Sequence, residues 1–95
     1  MNNYEMTVVV SANVEDEVRA GVVGQVKDLI ARFGGNISNV EEAGKKRLAY
    51  EIQHEKDGFY YFIKFSADAT SPVEIENRVR IMDNVLRFLI VREEA

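Results

Sequence analysis

An α+β sandwich, with four antiparallel strands and two helices on one face, is the fold class that the sequence predicts. Three observations predict it. Strand-like patterning fills four stretches of the chain and helical spacing fills two. The two kinds of segment follow one another as β-α-β-β-α-β. Two helices of this length can cover only one face of the sheet they pack on.

Tyr4 to Ser11 sets Tyr4, Met6, Val8 and Val10 against Glu5, Thr7, Val9 and Ser11, and a period of two rich in β-branched side chains makes a strand. Asn13 is the expected N-cap of the next element, with Asp16 three residues on and further acid in the first turn. Val14, Val18, Val22, Val26, Leu29, Ile30 and Phe33 then recur at spacings of three and four. They form an amphipathic helix, stopped by Gly34-Gly35. Gly21 and Gly24 lie inside that helix, where each costs about 1 kcal/mol relative to alanine. Close packing on the sheet is the expected reason for them.

From Asn36 to Gln53 the pattern is strand-like but interrupted at Gly44, where a bulge or bend is expected. His54-Glu55-Lys56-Asp57-Gly58 is polar and contains Asp-Gly, so it is the predicted turn of a hairpin. Phe59 to Phe65 is the strongest strand signal in the chain. The second helix opens at Ser71-Pro72-Val73-Glu74: Ser71 is the predicted cap, Pro72 takes the first helical position, and Glu74 completes a capping box. Pro72, Ile75, Val79 and Met82 form its inner stripe, Asp83-Asn84 ends it, and Val85 to Arg92 is the last strand. Two split βαβ units with right-handed crossovers then give the ferredoxin-like βαββαβ sandwich. In that topology the first and third strands are central and the second and fourth are edges.

At 95 residues the chain is expected to form a single domain, 1–95, with one core. No apolar run approaches the roughly 20 residues of a membrane span, and Met1-Asn2-Asn3-Tyr4-Glu5 does not read as a signal peptide. The absence of cysteine excludes disulfides and thiolate zinc sites. A cytoplasmic protein is expected. The net charge of −4 runs against non-specific nucleic-acid binding, but the charges are unevenly placed. Acids dominate Glu5 to Asp28, and bases gather at Lys45-Lys46-Arg47 and at Arg78, Arg80, Arg87 and Arg92. Such a chain can still contact phosphate, but only in a defined orientation.

The function signal lies in strands that fail to alternate. Phe59, Tyr61, Ile63 and Phe65 line one face of the third strand, while Tyr60 and Phe62 put aromatics on the other. Leu89 and Val91 oppose Phe88 and Ile90 in the fourth strand, and Val9 breaks the alternation of the first. Apolar and aromatic groups on the helix-free face mark an interaction surface rather than scattered exposed aromatics. Glu41-Glu42 and Lys45-Lys46-Arg47 flank Gly44 on an edge strand, where charge blocks self-pairing and also admits a partner of opposite pattern.

Tyr4-Glu5, Val40-Glu41-Glu42-x-Gly44 followed by Arg47-Leu48-Ala49-Tyr50, and Arg80-Ile81-x-Asp83-Asn84-Val85-x-Arg87 occur in this order along the chain. They closely resemble the bacterial small-subunit ribosomal protein S six (S6) family. The resemblance runs along the whole chain without large insertions. It implies a ferredoxin-like fold, a structural role in the small ribosomal subunit, binding to the central domain of small-subunit ribosomal RNA, and a heterodimer with ribosomal protein S eighteen (S18). It implies no cofactor and no small-molecule substrate. A basic partner fits an acidic chain, because it supplies much of the phosphate neutralisation. By this resemblance Lys46, Arg47, Arg80 and Arg87 face RNA, and Glu41, Glu42, Leu48 and Tyr50 lie nearer the partner protein. Two positions depart from the family: Asn2 stands where a base is common, and Glu51 where proline often follows Leu-Ala-Tyr. Some members carry a tail beyond the last strand; here Glu93-Glu94-Ala95 ends the chain, and no tail function is expected.

Other readings of the same topology fit less well. An RNA-recognition motif needs a small residue where Tyr60 stands and an aromatic near Lys64. A stand-alone ligand-sensing domain is the remaining binding alternative, although such domains usually accompany a catalytic one. An enzyme of the acylphosphatase kind needs a glycine-rich phosphate loop after the first strand, and Ser11-Ala12-Asn13-Val14 is not one. His54, the only histidine, is expected to face solvent in its turn, and Glu15-Asp16-Glu17 suits a helix N-terminus rather than a metal. No catalytic activity and no metal site are expected.

Overall fold

β1 (Asn2–Ser11), α1 (Asp16–Arg32), β2 (Asn36–Ile52), β3 (Glu55–Ala67), α2 (Ser71–Val79) and β4 (Val85–Glu93) follow in the predicted order. The structure is a computed structural model and describes residues 1–93. The expectation about the chain's end falls partly on Glu94 and Ala95, which lie outside the described residues. The strands form one antiparallel sheet in the order β2-β3-β1-β4, so the first and third strands are central as the topology requires. β1 and β3 pair without a break from Asn2↔Ala67 to Ser11↔Gly58.

Both helices pack on one face. Val22, Val23, Val26 and Ile30 of α1 and Ile75 and Val79 of α2 meet Tyr4, Met6, Val8, Val10, Tyr61, Ile63 and Phe65 of the sheet. Tyr4 and Phe65 stack with ring centroids 5.5 Å apart. Both faces of β3 are apolar, so sequence pattern alone leaves its orientation open; the helices take the Tyr61–Ile63–Phe65 side. Val18, placed in the inner stripe by its spacing, is 43% exposed, and Val23 is buried in its stead.

The C-terminus of α1 follows its predicted glycine signal. Gly34 adopts φ +84°, its N–H reaches the Ala31 carbonyl at 3.1 Å, and the Gly35 N–H reaches the Ile30 carbonyl at 2.8 Å. This is the paired 5→2 and 6→1 closure that satisfies the last carbonyls of a helix. The bulge expected in β2 is also present: the register slips between Glu42 and Gly44, and Gly44 takes φ +87°.

Five local expectations are corrected. Asn13 does not cap α1, which begins at Asp16 after Glu15 and has no side-chain cap bond. The Asn13 N–H instead donates to Ser11 Oγ at 3.2 Å, within a bend that Glu55 clamps: its Oε1 accepts from Ser11 Oγ at 2.6 Å and from the Ala12 N–H at 3.2 Å. Gly21 and Gly24 make no close approach, since a Cβ at either would meet nothing within 4 Å.

The hairpin turn does not run from His54 to Gly58 but lies at Gln53-His54, both with positive φ (50° and 66°) between the paired Ile52 and Glu55. Two consecutive positive φ values are the signature of the tight turn whose twist matches the strands it joins. Gly58 is held inside β3, because a Cβ there would lie 2.5 Å from Val9 Cγ1. Finally, Ser71 and Glu74 make no capping box; Thr70 holds the N-cap position, with no side-chain bond. The buried Ser71 hydroxyl donates to the Phe33 carbonyl at 2.7 Å, filling an acceptor left open near the end of α1. The helix also stops at Val79, short of Asp83-Asn84, and Asn84 turns into β4 with φ +69°.

Candidate nucleic-acid and partner interface

Pairing register defines the helix-free face row by row. Asn39, Lys64, Glu5 and Val91 lie across one row, Glu41, Phe62, Thr7 and Leu89 across the next, and Gly44, Tyr60, Val9 and Arg87 across the third. Lys46 follows beside Gly58 and Ser11. Apolar groups on this face are not scattered. Val9, Leu48 and Leu86 form a second buried cluster, flanked by the half-buried Ile52 and Tyr60, so the sheet carries a small core on the side without helices.

Leu86 reaches that cluster through a shift of register between Val9 and Val10 against β4. Simple alternation would send it to the same side as Phe88 and Ile90, which pack on the main core. No residue type signals this shift, and the sequence reading missed Leu86 for that reason. Leu89 and Val91 remain 50% and 51% exposed.

Two of the four expected RNA-facing residues share this surface. Lys46 Nζ stands 5.9 Å from the Tyr60 ring centroid, and Arg87 lies opposite Val9 on the far edge. Three strand spacings separate the two edges, or roughly 14 Å, with Tyr60 and Val9 between. Arg47 pairs with Asp57 and therefore sits on the opposite side of the ribbon. Arg80 follows the last turn of α2 as its C-cap, away from the helix-free face. All four are exposed, and among the described residues none forms an ion pair.

The four expected partner-facing residues are likewise divided. Glu41 lies on the helix-free face beside a shallow depression of about 340 Å³ lined by Glu5, Asn39, Phe62 and Lys64. Glu42, opposite Tyr61, lies on the helix side, where it borders a cleft with Arg19 and Lys27. Leu48 is only 8% exposed and floors the second cluster, whereas Tyr50 stands 62% exposed near the tip of the β2–β3 ribbon.

Arg19 closes the helix side of the same region. Its guanidinium carbon stacks 3.7 Å from the Phe59 centroid, its Nε donates to the Tyr61 hydroxyl at 3.0 Å, and its Nη1 donates to Asp16 at 2.9 Å. Desolvation opposes the charge, yet the Tyr61 and Asp16 bonds outweigh it and raise the Arg19 pKa above its ordinary value. That charge is held as structure and is not free for a ligand. His54 is fully exposed in its turn, 3.8 Å from Glu51. Among the described residues no group of three or more acidic or histidine side chains is placed to hold a metal, and no helix is long and apolar enough to cross a membrane.

Comparison with known proteins agrees with the fold and with the resemblance. The family model described as Ribosomal protein S6 matches residues 3–92. The small ribosomal subunit protein bS6 of Caldanaerobacter subterraneus is 39% identical over 94 residues, covering 99% of both chains. That of Alkaliphilus oremlandii is also 39% identical, with the same coverage. The crystal structure of 30S ribosomal protein S6 from Thermotoga maritima superposes with a TM-score of 0.91 at 32% identity, covering 97% of this chain and 87% of that one. Matched from end to end in sequence and in fold, the chain belongs to the ribosomal protein S6 family, whose members are structural constituents of the small ribosomal subunit and not enzymes.

Proposed function

We propose that the chain acts as a single domain that binds the central domain of small-subunit ribosomal RNA together with S18, in the cytoplasmic ribosome. The observation that carries this reading is the composition of the helix-free face. A buried apolar floor of Val9, Leu48 and Leu86 lies between Lys46 and Arg87, neither of which is ion-paired among the described residues. An apolar floor suits a protein partner, and unpaired cations at its margins suit phosphate. Arg47 and Arg80, on other sides of the molecule, serve RNA strands that wrap beyond this face. Glu41 and Tyr50 extend the protein contact along β2, while Glu42 and Leu48 support it from beneath.

The test is a titration against a central-domain RNA fragment, with and without S18, at two salt concentrations. Binding is expected to be tight only with the partner and to weaken steeply with salt. Arg47→Glu and Arg87→Glu are each expected to lower affinity about tenfold and to reduce the salt slope by about 1, with thermal stability unchanged because both side chains are exposed. A variant that loses melting temperature in step with affinity sinks the assignment of that arginine. Equal binding to unrelated single strands without S18 replaces this reading with base stacking on Tyr60 and Phe62.

A further inference from the structure

The two edges of the sheet are built differently. β2 is broken at Gly44 and carries Glu41, Glu42, Lys45, Lys46 and Arg47 around the break, which are the devices that discourage another strand from pairing. β4 keeps its charges, Arg87, Arg92 and Glu93, and its one register shift toward its ends, and leaves its centre without such protection. Its register with β1 is regular from Val9↔Arg87 to Asn3↔Glu93, its centre reads Phe88-Leu89-Ile90-Val91 without a charge, and among the described residues no strand covers its outer side. A regular, apolar, open edge is a template for strand addition.

We propose that this edge joins two copies of the chain, β4 to β4, about a two-fold axis at Ile90. The charge pattern selects both the occupant and the register. In an antiparallel pair, residues directly opposite share a face, so a two-fold axis perpendicular to the sheet must pass through a like pair. Centred on Ile90, Arg87 falls opposite Glu93 and Leu89 opposite Val91, twice each by symmetry. All four belong to the helix-free face, where they pair with Val9, Asn3, Thr7 and Glu5 of β1. Opposite charges and matched apolar side chains directly across an antiparallel pair are both stabilising.

Neighbouring registers lose this. Centred on Leu89, Arg87 meets Val91 and Glu93 meets Val85; centred on Val91, Glu93 meets Leu89. Within one copy Glu93 already reaches Lys64, but at 3.9 Å and with both side chains well exposed, so its carboxylate can turn to a nearer guanidinium. Arg87 has no ionic partner among the described residues. The product is a continuous eight-stranded sheet with all four helices on one side. A contact of one strand per copy is small, which places it among weak, reversible dimers.

Sedimentation equilibrium on the full chain, from about 10 μM to about 1 mM at low salt, spans the affinity of such a contact. The expected result is a monomer–dimer equilibrium, with amides of β4 exchanging more slowly as concentration rises. Leu89→Lys should abolish the dimer, and Val91→Lys, at an equally exposed position, is the second disrupting variant. Arg87→Glu and Glu93→Arg should each weaken association about tenfold (1.4 kcal/mol), and the double exchange Arg87→Glu/Glu93→Arg should restore it. A chain that stays monomeric across the range overturns the proposal. So does a dimer that survives Leu89→Lys and Val91→Lys, a double exchange that fails to rescue, or protection that appears in β2 in place of β4.

Discussion

Gly21 and Gly58 are the same residue type under opposite constraints. Gly21 lies in α1 with open space where a Cβ would be, so it contributes only the conformational freedom that a helix must freeze. Gly21→Ala is expected to stabilise the chain by about 0.5–1 kcal/mol, read as a rise in the urea midpoint at constant slope; an unchanged or lower midpoint contradicts it. Gly58 lies under Val9, whose Cγ1 would be 2.5 Å from a new Cβ. Val9 is buried and β-branched and has little room to rotate away. Gly58→Ala is therefore expected to destabilise by about 1–3 kcal/mol. If the two alanines shifted the midpoint in the same direction, this account of the Gly58 site would fail. Sequence composition distinguishes neither case, because what separates them is a neighbour more than forty positions away in the chain.

Elements are joined by side chains that local rules assign to other tasks. Ser71 has the sequence context of a helix cap, yet its hydroxyl binds the Phe33 carbonyl and ties the start of α2 to the end of α1. Ser71→Ala leaves that carbonyl without its partner and is expected to cost about 1–2 kcal/mol, while the helical circular dichroism stays unchanged. Loss of helical signal in the folded variant would restore the capping role. Glu55 does the same service for the β1–α1 bend through Ser11 and Ala12. Both contacts span long separations in sequence, which is why motif reading gives Ser71 the wrong bond and Glu55 only a place in a turn. The C-terminus of α1 was legible, by contrast, because every atom of its Gly34-Gly35 closure lies within six residues.

At the scale of the whole molecule the sheet has apolar packing on both faces, unequal in depth. The helix side holds the main core; the other side holds Val9, Leu48 and Leu86 and leaves Leu89 and Val91 half exposed. Val9→Ala is expected to cost about 1–3 kcal/mol by opening the smaller cluster, and Leu89→Ser to stay within about 0.5 kcal/mol. Equal losses in denaturant unfolding would mean that the face is all core; no loss in either would mean that it is all surface. The difference is what allows one face to stabilise the fold at its centre and still expose apolar side chains at its margin.

Element order, strand centrality, the stop of α1 and the bulge at Gly44 all follow from the sequence alone, because alternation, helical spacing and glycine placement act over a few residues. The apolar character of the helix-free face was also legible, from strands too apolar on both sides for a sheet covered once. Tertiary structure decided the rest. It turned Tyr61, Ile63 and Phe65 toward the helices, moved the hairpin turn to Gln53-His54, and sent Leu86 to the second cluster. It also divided neighbours that read as one site: Glu41 from Glu42, and Lys46 from Arg47. Adjacent residues in a strand face opposite ways, and only the register against a distant partner strand decides which way each one points.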